Sequence, residues 1–136
     1  MTALLDTGVL LAALAENDEW HAACAAALDQ EANLLLPDVV LPEVAYLLIR
    51  DAGYQPLIEL LKSLAAGELP LVRFTSADLA RAAAIMEKYA DAGIDLVDCI
   101  LTAMAERLNI TRILTIDRRH FLIIRPAHCP AFEIIP

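Results

Sequence analysis

The sequence predicts an α/β fold, a central and mostly parallel sheet flanked by helices on both faces. Short apolar runs of strand length, TALL at 2–5, NLLL at 33–36 and RILTI at 112–116, alternate with stretches whose apolar residues recur at helical spacing. Neither an internal repeat nor a low-complexity linker interrupts that alternation. Strands alternating with helices in a short chain favour a parallel sheet, with ligands bound beyond the carboxyl ends of the strands. A length of 136 residues suffices for one proper core and is too short for two ordinary ones, so residues 1–136 are read as a single domain.

The elements follow in order. TALL ends at Asp6, and TGVLLAALAE after it has helical composition, so a strand feeds a helix and Asp6 stands at the strand's carboxyl end. Trp20, Ala23, Cys24, Ala27 and Leu28 mark a second helix, and Asn33 to Leu36 a second strand that exits at Pro37 and Asp38. From Asp38 to about Asp51 the apolar spacing is again helical, and because proline is tolerated only in a first turn, Pro42 puts Glu43 near that helix's N-terminus. Gly53 closes it; Pro56 to Ala66 forms another helix ended by Gly67, and Leu69 to Phe74 a third strand. Thr75 or Ser76 caps a helix with a predicted core face of Leu79, Ala82, Ala83, Met86 and Ala90, ending at Gly93. A long helix over Asp95 to Leu108, the strand from Arg112, Asp117, and a last strand at FEII complete the chain.

Composition narrows the function classes. The apolar stretches are broken by Pro37, Asp38, Pro42 and Glu43, or by Asp95 and Asp98, before reaching membrane length, and Asp6 spoils a signal-peptide reading. Cys24, Cys99 and Cys129 are odd in number, lack CxxC spacing and sit in apolar contexts, as buried free thiols of a reducing cytoplasm do. His21 with Cys24, and His128 beside Cys129, do not make a four-ligand zinc set. A hydrophobic fraction of 59% leaves apolar surface beyond the core, which a homodimer or a bound partner would cover. The net charge of -9 opposes general attraction to nucleic acid, yet Arg107, Arg112, Arg118, Arg119 and Arg125 put half of the 10 basic residues around Asp117.

Acids stand where helices and strands meet: LLDTG at Asp6, VLPEVAYLL at Glu43, DLVDCILTAMAERL with Asp95 and Asp98, and ILTIDRRHF at Asp117. In order and separation these segments resemble the PIN-domain nucleases, especially the VapC-type toxins of toxin–antitoxin pairs, across nearly the whole chain. The resemblance implies a PIN-like fold in which Asp6, Glu43, Asp98 and Asp117 surround Mg2+ or Mn2+ and carry catalysis. It further implies a metal-dependent endoribonuclease acting on RNA, a cognate antitoxin that wraps a segment over the toxin and sends a basic side chain into the acidic pocket, and a homodimer.

The chemistry gives such a cluster a reason. Hard divalent cations prefer oxygen ligands, and carboxylates packed without one repel. Asp98 precedes Cys99, Ile100, Leu101 and Ala103, where burying a carboxylate is costly without a cation. Taken alone, Asp6 also fits a turn, Glu43 a first-turn glutamate, and Asp95 an N-cap as well as a ligand. Thr7 and Thr115 lie close enough to orient a carboxylate or water. Arg118, Arg119 and His120 follow Asp117 directly, as phosphate contacts or as solvated charges. A phosphohydrolase acting on a small phosphate ester, and a non-catalytic PIN-like binding module, are the rival readings.

Overall fold

The computed structural model describes all of residues 1–136. β1 (Thr2–Leu5) leads into α1 (Thr7–Leu14) and α2 (His21–Gln30), then β2 (Asn33–Pro37). A 3-10 turn (Asp38–Val40) precedes α3 (Leu41–Ala52) and α4 (Tyr54–Ala65), followed by β3 (Leu71–Val72), α5 (Ser76–Lys88), a second 3-10 turn (Ala90–Ala92) and α6 (Leu96–Leu108). The chain finishes with β4 (Arg112–Leu114), α7 (Arg119–Ile123) and β5 (Glu133–Ile135).

The strands form one five-stranded sheet in the order β3-β2-β1-β4-β5, with every pairing parallel. Ala3 to Leu5 of β1 lie opposite Arg112 to Leu114 of β4, and Thr2 to Leu4 opposite Asn33 to Leu35 of β2. Successive strand residues point to opposite faces, so the complete burial of Ala3, Leu4 and Leu5 means that the central strand is covered on both sides. The chain steps from β1 to β2 on one side and later returns to place β4 on the other, which makes the β1/β4 edge the point where strand order reverses. Both Asp6 and Asp117 leave the sheet there.

α6 is the most deeply placed helix. Asp98 through Ala105 are all buried, so apolar surface surrounds it and tertiary packing, mainly against α5, holds it. Asn109, in the left-handed region at φ 55, ends it by sending its N–H to Ala105 and Glu106 carbonyls. No helix is long and apolar enough to cross a membrane.

Several expectations need correction. The third strand shrinks from 69–74 to Leu71–Val72, because the Phe74 N–H goes to the Asp38 carboxylate and the Thr75 N–H to Asp78, both withdrawn from strand pairing. α5 stops at Lys88, and a 3-10 turn rather than helix runs toward Gly93. Its predicted core face is rotated: only Ala82 of that set is buried, while Leu79 and Met86 are exposed and Asp78, Ala82 and Ile85 face inward. Asp78 turns inward because Thr75 holds it in a capping box and Arg107 of α6 closes on it at 3.0 Å. α7 was not anticipated. Cys24 and Cys99 are buried thiols, but Cys129 is only half-buried.

Candidate active site

Asp6 follows the fully buried end of β1 and N-caps α1 from an extended backbone. Its own N–H donates to Leu114 O at 2.9 Å, extending the β1–β4 ladder by one residue and fixing where the carboxylate emerges. Asp6 Oδ1 accepts the Thr7 N–H at 2.8 Å and Oδ2 accepts the Thr115 hydroxyl at 2.9 Å. Thr115 is thus the side chain that ties the end of β4 to the end of β1. The Thr7 hydroxyl is buried, lines the same cavity and has no hydrogen-bond partner in the protein.

Gly8 explains the small residue in the DTG run. A Cβ there would meet Ile116 Cγ1 at 2.9 Å, so the first turn of α1 can approach the segment that carries Asp117 only without a side chain.

Asp98 sits in the first turn of α6, where Asp95 N-caps the helix and accepts the Asp98 N–H at 2.9 Å. Asp95 therefore is a cap, and it also lines the cavity. Asp98 is buried, and its Oδ2 lies 2.6 Å from Nδ1 of the buried His120. Glu43 stands in the first turn of α3 just after Pro42, exposed, and Asp117 is exposed beyond β4. Asp6, Glu43, Asp95, Asp98 and Asp117 line one cavity of about 260 Å³ together with Thr7 and Thr115, and no lysine or arginine lines it. Side-chain oxygens of Asp95 and Asp98 and a ring nitrogen of His120 fall within 4.8 Å of one another.

The electrostatics follow from burial without a counter-charge. Burial raises the Asp6 carboxyl above its ordinary range; the Thr7 and Thr115 hydrogen bonds lower it, and Glu43 and Asp95 push it up again. Asp98 is pushed up to about 7 by burial and by the charges of Asp6 and Asp95, against the opposing hydrogen bond from His120. Burial likewise pushes the neighbouring Cys99 thiol up to about 11, which keeps it an inert thiol.

The arginines divide. Arg107 is taken by Asp78, and Arg112 is paired with Glu31 and Glu133, so two of the five C-terminal arginines lend no free charge to the cavity. Arg118 and Arg119 are exposed beside Asp117 with no carboxylate partner; Arg118 reaches the Pro136 carbonyl, and Arg119 Nη2 lies 3.3 Å from His120 Nε2. His120, unlike its two exposed neighbours, is not on the surface. It turns inward on α7, and the signal was the spacing of His120, Phe121 and Ile124, a buried helical stripe that follows an exposed acid. His21 and His128 serve packing instead, bonding the carbonyls of Ala12 and Ile110.

Residues 3–125 of this parallel-sheet chain match the PIN domain, so the chain belongs to the PIN domain family. It is similar to Ribonuclease VapC26 of Mycobacterium tuberculosis, 34% identical over 134 residues that span 98% of this chain and 99% of that protein. The crystal structure of VapC20 from Mycobacterium tuberculosis, a Sarcin-Ricin loop cleaving toxin, superposes with a TM-score of 0.75 at 16% identity over 82% of this chain and 86% of that one. VapBC2 from Rickettsia felis, bound to a DNA fragment from its promoter, superposes with a TM-score of 0.73 at 15% identity over the whole of both chains.

Proposed function

We propose that this single-domain protein is a divalent-metal-dependent endoribonuclease, the toxin of a toxin–antitoxin pair, with Asp6, Glu43, Asp98 and Asp117 as its catalytic carboxylates. The observation that carries the reading is the cavity itself: two buried aspartates and three further acids share it with no lysine or arginine to compensate them. Such a donor set fits Mg2+ or Mn2+, which take hard oxygen ligands, and the unpartnered Thr7 hydroxyl is a further oxygen at the same place. The identity to a ribonuclease over almost the full chain supports RNA as the substrate.

Asp6 and Asp98, each fixed by side-chain hydrogen bonds, would hold the ion, with Asp117 and Glu43 completing the set from the rim and Asp95 supporting it as the cap of α6. When bound, the ion would polarise the scissile phosphate and make water a better nucleophile at neutral pH. Asp6 offers lone pairs beyond those used by Thr7 and Thr115, so its orientation is set before any ligand arrives. Glu43 and Asp117, exposed, are the oxygens at which a proton leaving the attacking water can be held. Arg118 and Arg119 bind the RNA backbone beside the reacting bond, each available for a charge-assisted contact to phosphate. This local pair, rather than a basic surface, is how a chain of net charge -9 engages RNA, and it favours unpaired, loop-presented segments over long duplexes.

The exposed side chains Tyr46, Ile49, Tyr54 and Leu61 on α3 and α4 leave the apolar surface that the composition requires, to be covered by an antitoxin segment or a second copy in the cytoplasm. The deciding experiment incubates antitoxin-free protein with structured RNAs and Mg2+ or Mn2+, with and without EDTA, beside an Asp6→Asn/Asp98→Asn variant. Discrete, metal-dependent cuts that the variant does not make are expected. Failure of the metal-loaded protein to cut any RNA, with hydrolysis of a small phosphate ester instead, would move the assignment to a phosphohydrolase.

A further inference from the structure

His120 belongs to no acid motif, yet it makes the shortest side-chain contact to the acidic cavity. α7 is only five residues long and is pinned from within: Phe121 is buried edge-on against Phe132 with ring centroids 5.9 Å apart, and Ile124 is buried one turn on. That anchoring holds the His120 ring under the first turn of α6, with Nδ1 at 2.6 Å from Asp98 Oδ2 and 3.8 Å from Asp95 Oδ2. On the other side of the ring, Arg119 Nη2 lies 3.3 Å from Nε2. An arginine only donates hydrogen bonds, so Nε2 must be the accepting nitrogen and Nδ1 must carry the proton. The Nδ1–H therefore donates to Asp98 Oδ2, and both ring nitrogens are engaged, which leaves no lone pair for an ion.

We propose that His120 is a positioning residue: through its Nδ1–H it fixes the rotamer of Asp98 and occupies Oδ2, so that Oδ1 is the oxygen presented to the cavity. The proposal rests on the metal-dependent reading above and deepens it. A ligating carboxylate left without its supporting hydrogen bond retains its charge but loses its direction, and such outer partners typically matter about 10–100-fold in metal affinity. Arg119 acquires a second role on this account, since its bond to Nε2 selects the tautomer while the rest of its guanidinium remains free for phosphate.

The test uses the metal alone. In the wild-type protein, long-range nitrogen–proton correlation spectra of His120 are expected to show a protonated Nδ1 and an unprotonated Nε2; the opposite tautomer overturns the proposal without any variant having to fold. Mn2+ titration followed by calorimetry is expected to show a loss of about 10–100-fold in affinity for His120→Leu. His120→Asn, whose amide N–H can take the place of Nδ1–H, is expected to recover most of it. Equal affinity in wild type and a folded His120→Leu overturns the positioning role, as does a Mn2+ spectrum showing a directly bonded imidazole nitrogen. Absence of Mn2+ binding to the wild-type cavity overturns the metal-dependent reading itself, and with it the basis of this one.

Discussion

Asp98 shows the site's electrostatic tension at the level of single residues. Its carboxyl is raised from an ordinary value of 3.8 to about 7, so between these values the folded chain holds a proton that the unfolded chain has released. Stability therefore falls as pH rises from about 4 to about 7 and levels off above, the reverse of a salt-bridged aspartate. In EDTA-treated protein, Asp98→Asn removes the titrating group while its amide oxygen can still accept the His120 proton. The variant should melt at a higher temperature than wild type near pH 8, the gain should shrink toward about pH 5, and added Mn2+ should stabilise wild type alone. A gain that is independent of pH, or no gain at about pH 8, would show that burial is not straining this carboxylate. The acids were legible in the sequence because each stands at the junction of a strand or a capped helix. His120 was not, because a histidine in a run of RRH looks like part of a solvated basic stretch until the short helix after it is recognised.

Elements set the distances between these residues. β1 and β4 are neighbours in register, α1 starts directly at Asp6, and the glycine at its second position lets it lie against Ile116. Gly8→Ala adds a methyl at 2.9 Å from Ile116 Cγ1 and gains helix propensity of about 1 kcal/mol, against an overpacking cost of about 1–3 kcal/mol. The expected net result is a loss of stability on the order of 1 kcal/mol together with slower RNA cleavage, since the clash lies between the carriers of Asp6 and Asp117. Adding Ile116→Ala should return part of the activity; a double variant no better than the sum of the single ones, read by a thermodynamic cycle, would place the contact elsewhere. Strand–helix alternation was readable from periodicity in the central elements. The error in α5 arose because apolar residues occur around more of that helix than its buried stripe uses, and a paired Asp78 occupies an inward position that pattern alone assigns to a hydrophobe. The short β3 was overread for a related reason, as its flanking N–H groups are claimed by the carboxylates of Asp38 and Asp78.

At the scale of the whole molecule, a chain of net charge -9 gathers acids beyond the carboxyl ends of its central strands and leaves two unpaired arginines beside them. RNA binding that depends on so few cations should respond weakly to salt. Replacing Arg118 and Arg119 by alanine should lower the slope of log affinity against log salt by about 0.7 for each contact removed, and Arg118→Ala alone should leave the affinity for Mn2+ unchanged. A slope far steeper than these arginines account for, unaltered in the double variant, would assign substrate binding to another face. The parallel sheet and the acids at its switch point follow from alternation and motif order, whereas the division of the arginines into paired and free depends on long-range contacts such as Arg107 with Asp78 that no local pattern reveals. The central claim, that this cavity gathers its carboxylates around a divalent cation, is tested most directly by anomalous diffraction from crystals soaked in Mn2+. The account predicts an anomalous peak in the cavity within bonding distance of Asp6 and Asp98, lost in the Asp6→Asn/Asp98→Asn variant; a cavity without a peak at saturating Mn2+, or one that persists unchanged in that variant, would contradict it.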